Sequence, residues 1–115
     1  MEKIIQELKQ LPTVKDAILL GRDGLIIAPD RGKETHLKRF AAMCAAITEK
    51  VDTALSQFYD AGPESIVIKG KDCVLIVVDA GPNAILMVLV EGFELIEDLT
   101  ILSEMKSSRI KDLLS

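Results

Sequence analysis

Residues 36–58, His-Leu-Lys-Arg-Phe-Ala-Ala-Met-Cys-Ala-Ala-Ile-Thr-Glu-Lys-Val-Asp-Thr-Ala-Leu-Ser-Gln-Phe, read as one long helix. Leu37, Phe40, Ala41, Cys44, Thr48, Val51, Leu55 and Phe58 recur at i, i+3, i+4, i+7, the spacing of a helix laid on a core. The opposite side carries Ala42, Met43 and Ala46, where a surface helix ordinarily sets Lys and Glu. Small residues there let a second helix axis approach at the short end of the usual ~8–10 Å range. The patch therefore reads as a helix-to-helix contact with another copy of the chain, extended by Ile47 and rimmed by Arg39 and Lys50. The competing reading is that alanines are simply good helix formers on a solvated face.

The chain has 115 residues, 49% hydrophobic and 28% charged, which suffices for one core and is too short for two domains. Residues 1–115 are expected to form a single globular domain. A net charge of −4, with no Lys/Arg run and no tryptophan, argues against a nucleic-acid binder, whose footprint is a basic stripe with stacking aromatics. Cys44 on the helix stripe and Cys73 at the start of an apolar strand read as small buried hydrophobes, with no disulfide framework, which fits a reducing cytoplasm. The amino terminus, Met-Glu-Lys-Ile-Ile-Gln-Glu-Leu, lacks the basic start and apolar run of a signal peptide, so secretion is not expected. The longest apolar region, Cys73 to Val90, is interrupted by Asp79-Ala80-Gly81-Pro82-Asn83, so it is two strands and a turn and no membrane insertion is expected.

Before the long helix, residues 2–11 form a short helix with Ile4, Ile5, Leu8 and Leu11 on one side, stopped by Pro12. Val14 to Gly21 is an apolar strand, Arg22-Asp23-Gly24 a turn, and Leu25 to Ala28 the returning strand. Ala17, Ile18, Leu19 and Leu20 are apolar on both alternating sets, so this strand is expected to be buried on both faces, with helices above and below. Pro29 to Lys33 breaks the pattern, and Glu34 or Thr35 would cap the long helix. Three further strands come at hairpin spacing. Ser65 to Lys69 alternates as an edge strand with one covered face, while Cys73 to Asp79 and Ala84 to Val90 are central. Glu94 to Leu114 closes the chain as a helix whose Leu95, Leu99, Leu102, Ile110 and Leu113 share a face, with acids at its start and bases near its end.

The resulting order, α-β-β-α-β-β-β-α, together with the run Ala17-Ile18-Leu19-Leu20-Gly21-Arg22-Asp23-Gly24-Leu25-Ile26-Ile27-Ala28, resembles the Roadblock family of dynein light chains, which includes the bacterial MglB-type regulators of small GTPases. The family pattern is an apolar strand, a turn ending in Asp-Gly and an apolar return strand ending in Ala, after a short helix and a break. Here Pro12-Thr13-Val14 fills the break where Gly before the Val is more usual, and the last helix is long for the family. The resemblance implies an α+β sandwich: a five-stranded, mostly antiparallel sheet with the long helix on one face and the two terminal helices on the other. It also implies a homodimer in which the long helices pair and the strand after them joins its mate, which places Ala42, Met43, Ala46, Ser65, Ile66, Val67 and Ile68 at the interface. A Ras-like small GTPase is the implied partner, touched through Arg39, Met43 and Lys50.

Chemistry-bearing residues point away from catalysis. His36 is the only histidine and falls in the first turn of the long helix, where a solvated or capping role competes with any nucleophile-base device. Lys69-Gly70-Lys71-Asp72 reads as a hairpin turn with solvated lysines, since no Gly-x-x-x-x-Gly-Lys-Ser/Thr occurs. Asp23, Asp30 and Asp79 sit at turns, where Asp is favoured for backbone reasons, and no spacing pairs them into a metal or acid/base site. No cofactor is expected. Of the four arginines, Arg22 and Arg31 read as exposed enough to act in trans, Arg39 lies on the rim of the long helix and Arg109 in the last helix; for each, a plain solvated surface charge is the preferred reading. Two classes remain: a dimeric, non-enzymatic regulator or adaptor of a Ras-like GTPase, and a profilin-like or longin-like sensor or scaffold without a GTPase.

Overall fold

The computed structural model of the chain describes residues 2–29, 35–92 and 96–114. Its elements are α1 (Glu2–Lys9), β1 (Val14–Gly21), β2 (Ile26–Ala28), α2 (Thr35–Leu55), β3 (Ser65–Lys69), β4 (Cys73–Asp79), β5 (Ala84–Glu91) and α3 (Ile96–Leu114). The strands form one sheet in the order β2-β1-β5-β4-β3, with every neighbouring pair antiparallel. The order of elements is the one expected, and the sheet is wholly rather than mostly antiparallel.

β1 and β5 hold the middle because neither has a polar face. Ala17 and Leu19 point into a cluster with Ile4, Ile5 and Leu8 of α1 and Leu99 and Ile110 of α3. Their neighbours Ile18 and Leu20 point the other way, into a cluster with Leu37, Ala41, Cys44 and Ala45 of α2. Residues 17 to 20 are all fully buried, and at about 1.5–3 kcal/mol for each large side chain their burial is a principal driving force for the layering. A bulge between Val14 and Asp16 breaks the alternation, so Val14 joins Ala17 and Leu19 on the α1/α3 side. Thus α2 covers one face and α1 with α3 the other, as expected.

Several boundaries move. The long helix ends at Leu55, and Phe58, expected on the buried stripe, is 82% exposed in the turn beyond it. The first helix stops at Lys9, before Leu11. Leu25 is not in the return strand but exposed at its approach. On α3 the buried face is Leu99, Ser103, Ser107 and Ile110; Leu102 is half-buried and Leu113 exposed, whereas Glu94 and Leu95 lie outside the described residues, as do residues 30–34 and the side chain of Thr35. The two buried serines escape a hydrophobicity pattern because each spends its hydroxyl on a carbonyl: Ser103 donates to Leu99 O at 2.6 Å and Ser107 to Asp79 O. Cys44 is buried as expected, and burial pushes its thiol pKa up to about 11. Cys73 is only half-buried, because it opens β4 beside the Gly70 turn.

The β1–β2 turn is docked on α2. Gly24 has φ +90°, and a Cβ added there would stand 3.1 Å from Ala42 Cα and 3.8 Å from Ala45 Cβ. Both the backbone conformation and the space require glycine. On the far side of the sheet α1 is tied to α3 by Glu7, which accepts from Lys106 and, at 3.2 Å, from Arg109. The hydrogen bond from Lys106 leads in holding the Glu7 carboxyl below its ordinary pKa; partial burial opposes the shift and Arg109 adds to it.

Gly24→Ala is expected to cost about 1–3 kcal/mol in denaturant unfolding, from the strained φ and the Ala42 contact; unchanged stability would show that the turn is not seated on α2. Because the folded pKa of Glu7 is depressed, its contribution is present above the unfolded carboxylate pKa and is lost as pH falls through the folded value. Glu7→Gln should therefore lower the melting temperature near pH 7, with the gap to the unmodified protein closing as the pH drops to about 3; a gap independent of pH would refute the assignment.

Candidate functional site: an unburied face of α2 and the β3 edge

The stripe of α2 that meets the sheet is Leu37, Ala41, Cys44 and Thr48, all buried, with Phe40, Val51 and Leu55 half-buried. Thr48 tolerates this position by donating its hydroxyl to Cys44 O at 2.8 Å, a bond within the helix. Away from the sheet, Ala42, Met43, Ala46 and Ile47 are all exposed, Met43 at 63%. Arg39 and Lys50, at the rim, are exposed too.

These residues do not form one uniform patch. Ala42 lies on the flank occupied by the β1–β2 turn, against Gly24, so its small size already has a use within the chain. Met43, Ala46 and Ile47 face elsewhere. The i, i+3 pair Ala42 and Ala45 opposite an Asp-Gly turn was the available signal for this intramolecular contact, and helical periodicity alone does not register it.

β3 is an edge strand paired only to β4 among the described residues. Ser65 and Ile66 are half-buried, while Val67 and Ile68 are 40% and 37% exposed. Ile66 packs into the α2-side cluster and Val67, one residue on, points to the other face. Ile68 is in register with Leu75, and Leu75 with Leu89. That row shares its face with Ile66, Val77 and Met87, yet Leu75 and Leu89 are only half-buried, packed on the rim of the same cluster as Phe40. Exposed apolar groups on α2, an incompletely covered row of the sheet beneath it and an open strand edge thus lie on one side of the molecule.

The catalytic candidates are explained by local structure. Asp23 accepts from Leu25 N at 3.0 Å, and Asp79 from Gly81 N at 3.2 Å, both two-residue turn contacts. Gly70 N donates to Cys73 O at 2.8 Å, which makes Lys69–Asp72 a hairpin turn. His36 is exposed. Arg22 is not the exposed arginine that the turn sequence suggests: it is half-buried, with Nη2 2.5 Å from Asp79 Oδ1 and Nε donating to Gly81 O at 3.2 Å. Asp79 also meets Lys111 at 3.3 Å. Arg109 is engaged with Glu7, and Arg31 and Asp30 lie outside the described residues. A cleft of about 240 Å³ beside the end of α2 is lined by Thr48, Asp52, Glu64 and Ile66 together with the Arg22–Asp79 pair, with no nucleophile-base arrangement in it. Among the described residues there is no group of three or more His, Cys, Asp or Glu side chains able to hold a metal ion, and no helix long and apolar enough to cross a membrane.

Comparison with known proteins agrees with this architecture. The family model described as the Roadblock/LC7 domain matches residues 1–90. An uncharacterised protein of Methanocaldococcus jannaschii is 28% identical over 92 residues, 80% of this chain and 77% of that protein. The crystal structure of a Roadblock/LC7 domain from Streptomyces avermitilis superposes with a TM-score of 0.87 at 21% identity, covering 99% of this chain and 97% of that one. An MglB solved in a tetrameric arrangement gives a TM-score of 0.82 at 17% identity, covering 96% and 85%. The structural likeness extends through α3, past the end of the family match. With its helix-hairpin-helix-meander order and matched residues 1–90, the chain belongs to the Roadblock/LC7 family.

Proposed function

We propose that the protein is a dimeric, non-catalytic adaptor that binds a Ras-like small GTPase and modulates its nucleotide cycle in the cytoplasm. The observation that carries the self-association is the half-covered row Ile68, Leu75 and Leu89 lying beside exposed Met43, Ala46 and Ile47 and ending at an open β3 edge. A second copy, related by a two-fold axis, would cover the same groups on both chains at once. The β3 backbones, through Ser65 to Ile68, would join the two sheets, and the α2 helices would pair through Met43 and Ala46, with Ala42, which also seats the β1–β2 turn, at the margin of the contact. The tetrameric arrangement of the MglB relative supports self-association as a habit of this fold.

The GTPase partner rests on family membership. Accelerating hydrolysis about 10⁵-fold requires ~7 kcal/mol of transition-state stabilisation, commonly from an inserted arginine. Arg22 and Arg109 are held in ion pairs of their own, which supports a milder mechanism. In it the α2 surface, through Arg39, Met43 and Lys50, holds the partner's own switch segments in one arrangement and so biases their equilibrium.

Ala46→Glu would place a carboxylate in the helix pair, where an unpaired buried charge costs several kcal/mol. Light scattering should then report a monomer or aggregate in place of a dimer, and an unmodified protein that is already monomeric at about 10 μM would end the dimer reading. Charge reversal at Arg39 and Lys50 should weaken pull-down of a Ras-like GTPase and its effect on single-turnover hydrolysis by at least about tenfold, whereas Arg22→Ala should not. Absence of binding to both the GTP and GDP forms would hand the role to a GTPase-independent scaffold.

A further inference from the structure

One carboxylate near the end of α2 is accommodated without a partner. Asp52, one turn after Thr48, is half-buried, yet its side chain makes no hydrogen bond or ion pair among the described residues. A carboxylate partly withdrawn from water ordinarily finds a donor. The chain makes room for this one all the same. A Cβ on Gly62 would stand 1.7 Å from Asp52 Oδ1 and 2.9 Å from its Cγ. Gly62 does not have a positive φ, so the backbone does not demand glycine there; the space taken by the carboxylate does. Asp52 also lines a cleft. The cavity of about 240 Å³ beside the end of α2 adjoins a second of about 290 Å³, and Arg22, Thr48 and Asp52 belong to both. Ile66, Val77 and Ile85 supply apolar wall from the sheet. Four carboxylates, those of Glu49, Asp52, Glu64 and Asp79, stand there against one cation, Arg22. Since Asp79 already holds Arg22 at 2.5 Å, the charges of Glu49, Asp52 and Glu64 are uncompensated. Glu49 and Glu64 are exposed and served by water; Asp52 is the one set back.

We propose that this cleft receives a guanidinium group, its planar head on Asp52 and its alkyl stem along the apolar wall. Charge, size and donor geometry each narrow the ligand. The uncompensated charge is negative, so the ligand is a cation. Among the described residues no three carboxylates are grouped to hold a metal ion, so the cation is organic. Each cavity is smaller than the about 300 Å³ at which sites for drug-sized ligands begin, which suits one side-chain-sized group and not a nucleotide. A guanidinium presents five donors in a flat fork and is more weakly hydrated than an ammonium. It therefore tolerates a half-buried seat, fits a carboxylate through two parallel bonds and keeps donors for Glu49 or Glu64 at the mouth. Such a group is borne by a small guanidino amine or by an arginine in a segment of another protein. The chemistry of the cleft is the same for both.

The test is calorimetric titration of the full chain, at low salt, with agmatine, N-acetyl-arginine amide and N-acetyl-lysine amide. The guanidinium probes are expected to bind with a Kd of about 0.1–1 mM, and the lysine amide more weakly. Agmatine as the tighter of the two assigns the cleft to a free amine; the arginine amide binding equally or more tightly assigns it to a protein segment. Asp52→Asn should weaken binding at least about tenfold without lowering the melting temperature, since the carboxylate it removes bonds to nothing in the chain. Gly62→Ala, whose Cβ displaces that carboxylate, should weaken binding comparably, and Glu97→Gln on α3 should leave it unchanged. The proposal is overturned if neither guanidinium probe binds, if the lysine amide binds as tightly, or if Asp52→Asn binds as well as the unmodified protein. A loss as large with Glu97→Gln also overturns it, because the attraction would then be to the net charge of the chain alone. No GTPase enters the titration, so its outcome is separate from that of the partner reading.

Discussion

Two neighbouring strands without a polar face, β1 and β5, set the terms for the rest of the molecule. Leu19 pairs with Leu86, Ile18 with Met87 and Leu20 with Ile85, all fully buried. A sheet with such a centre cannot leave either side in water, so each face must receive helices. α1 and α3 share one face, and their grip on each other through Glu7, Lys106 and Arg109 makes them a single covering layer.

The other face receives only α2. It covers the row Ile18, Met87 and Val77 and leaves half in solvent the next row on that face, Leu89 and Leu75, two residues along the same strands. The proposed dimer is the answer to that deficit. It needs no special motif, only an apolar row that its own chain leaves half-covered.

Asp79 is a second organising point. It receives Arg22 from the β1–β2 turn, Gly81 N from its own turn and Lys111 from α3, while its carbonyl accepts from Ser107. Loops from both halves of the sheet and the last helix are thus gathered at one end of the molecule. Each of these partly exposed pairs is worth little alone, but together they hold the arginine of the β1–β2 turn, Arg22, and they remove it from the candidates for action on a partner.

Local pattern determined a great deal of this protein. The element order, the two-sided burial of Ala17 to Leu20, the edge position of β3 and the turn roles of Asp23 and Asp79 all derive from side-chain period and turn chemistry within a few residues. The family resemblance rests on that element order together with the run Ala17 to Ala28. What only the tertiary structure decided are relations between residues far apart in the chain: the seating of Gly24 against Ala42, the pairing of Arg22 with Asp79, the burial of Ser103 and Ser107, the exposure of Phe58, and the open row beside α2. Each depends on strand order, register and the distance between layers. Period along one segment says which way a side chain points, but not what stands opposite it.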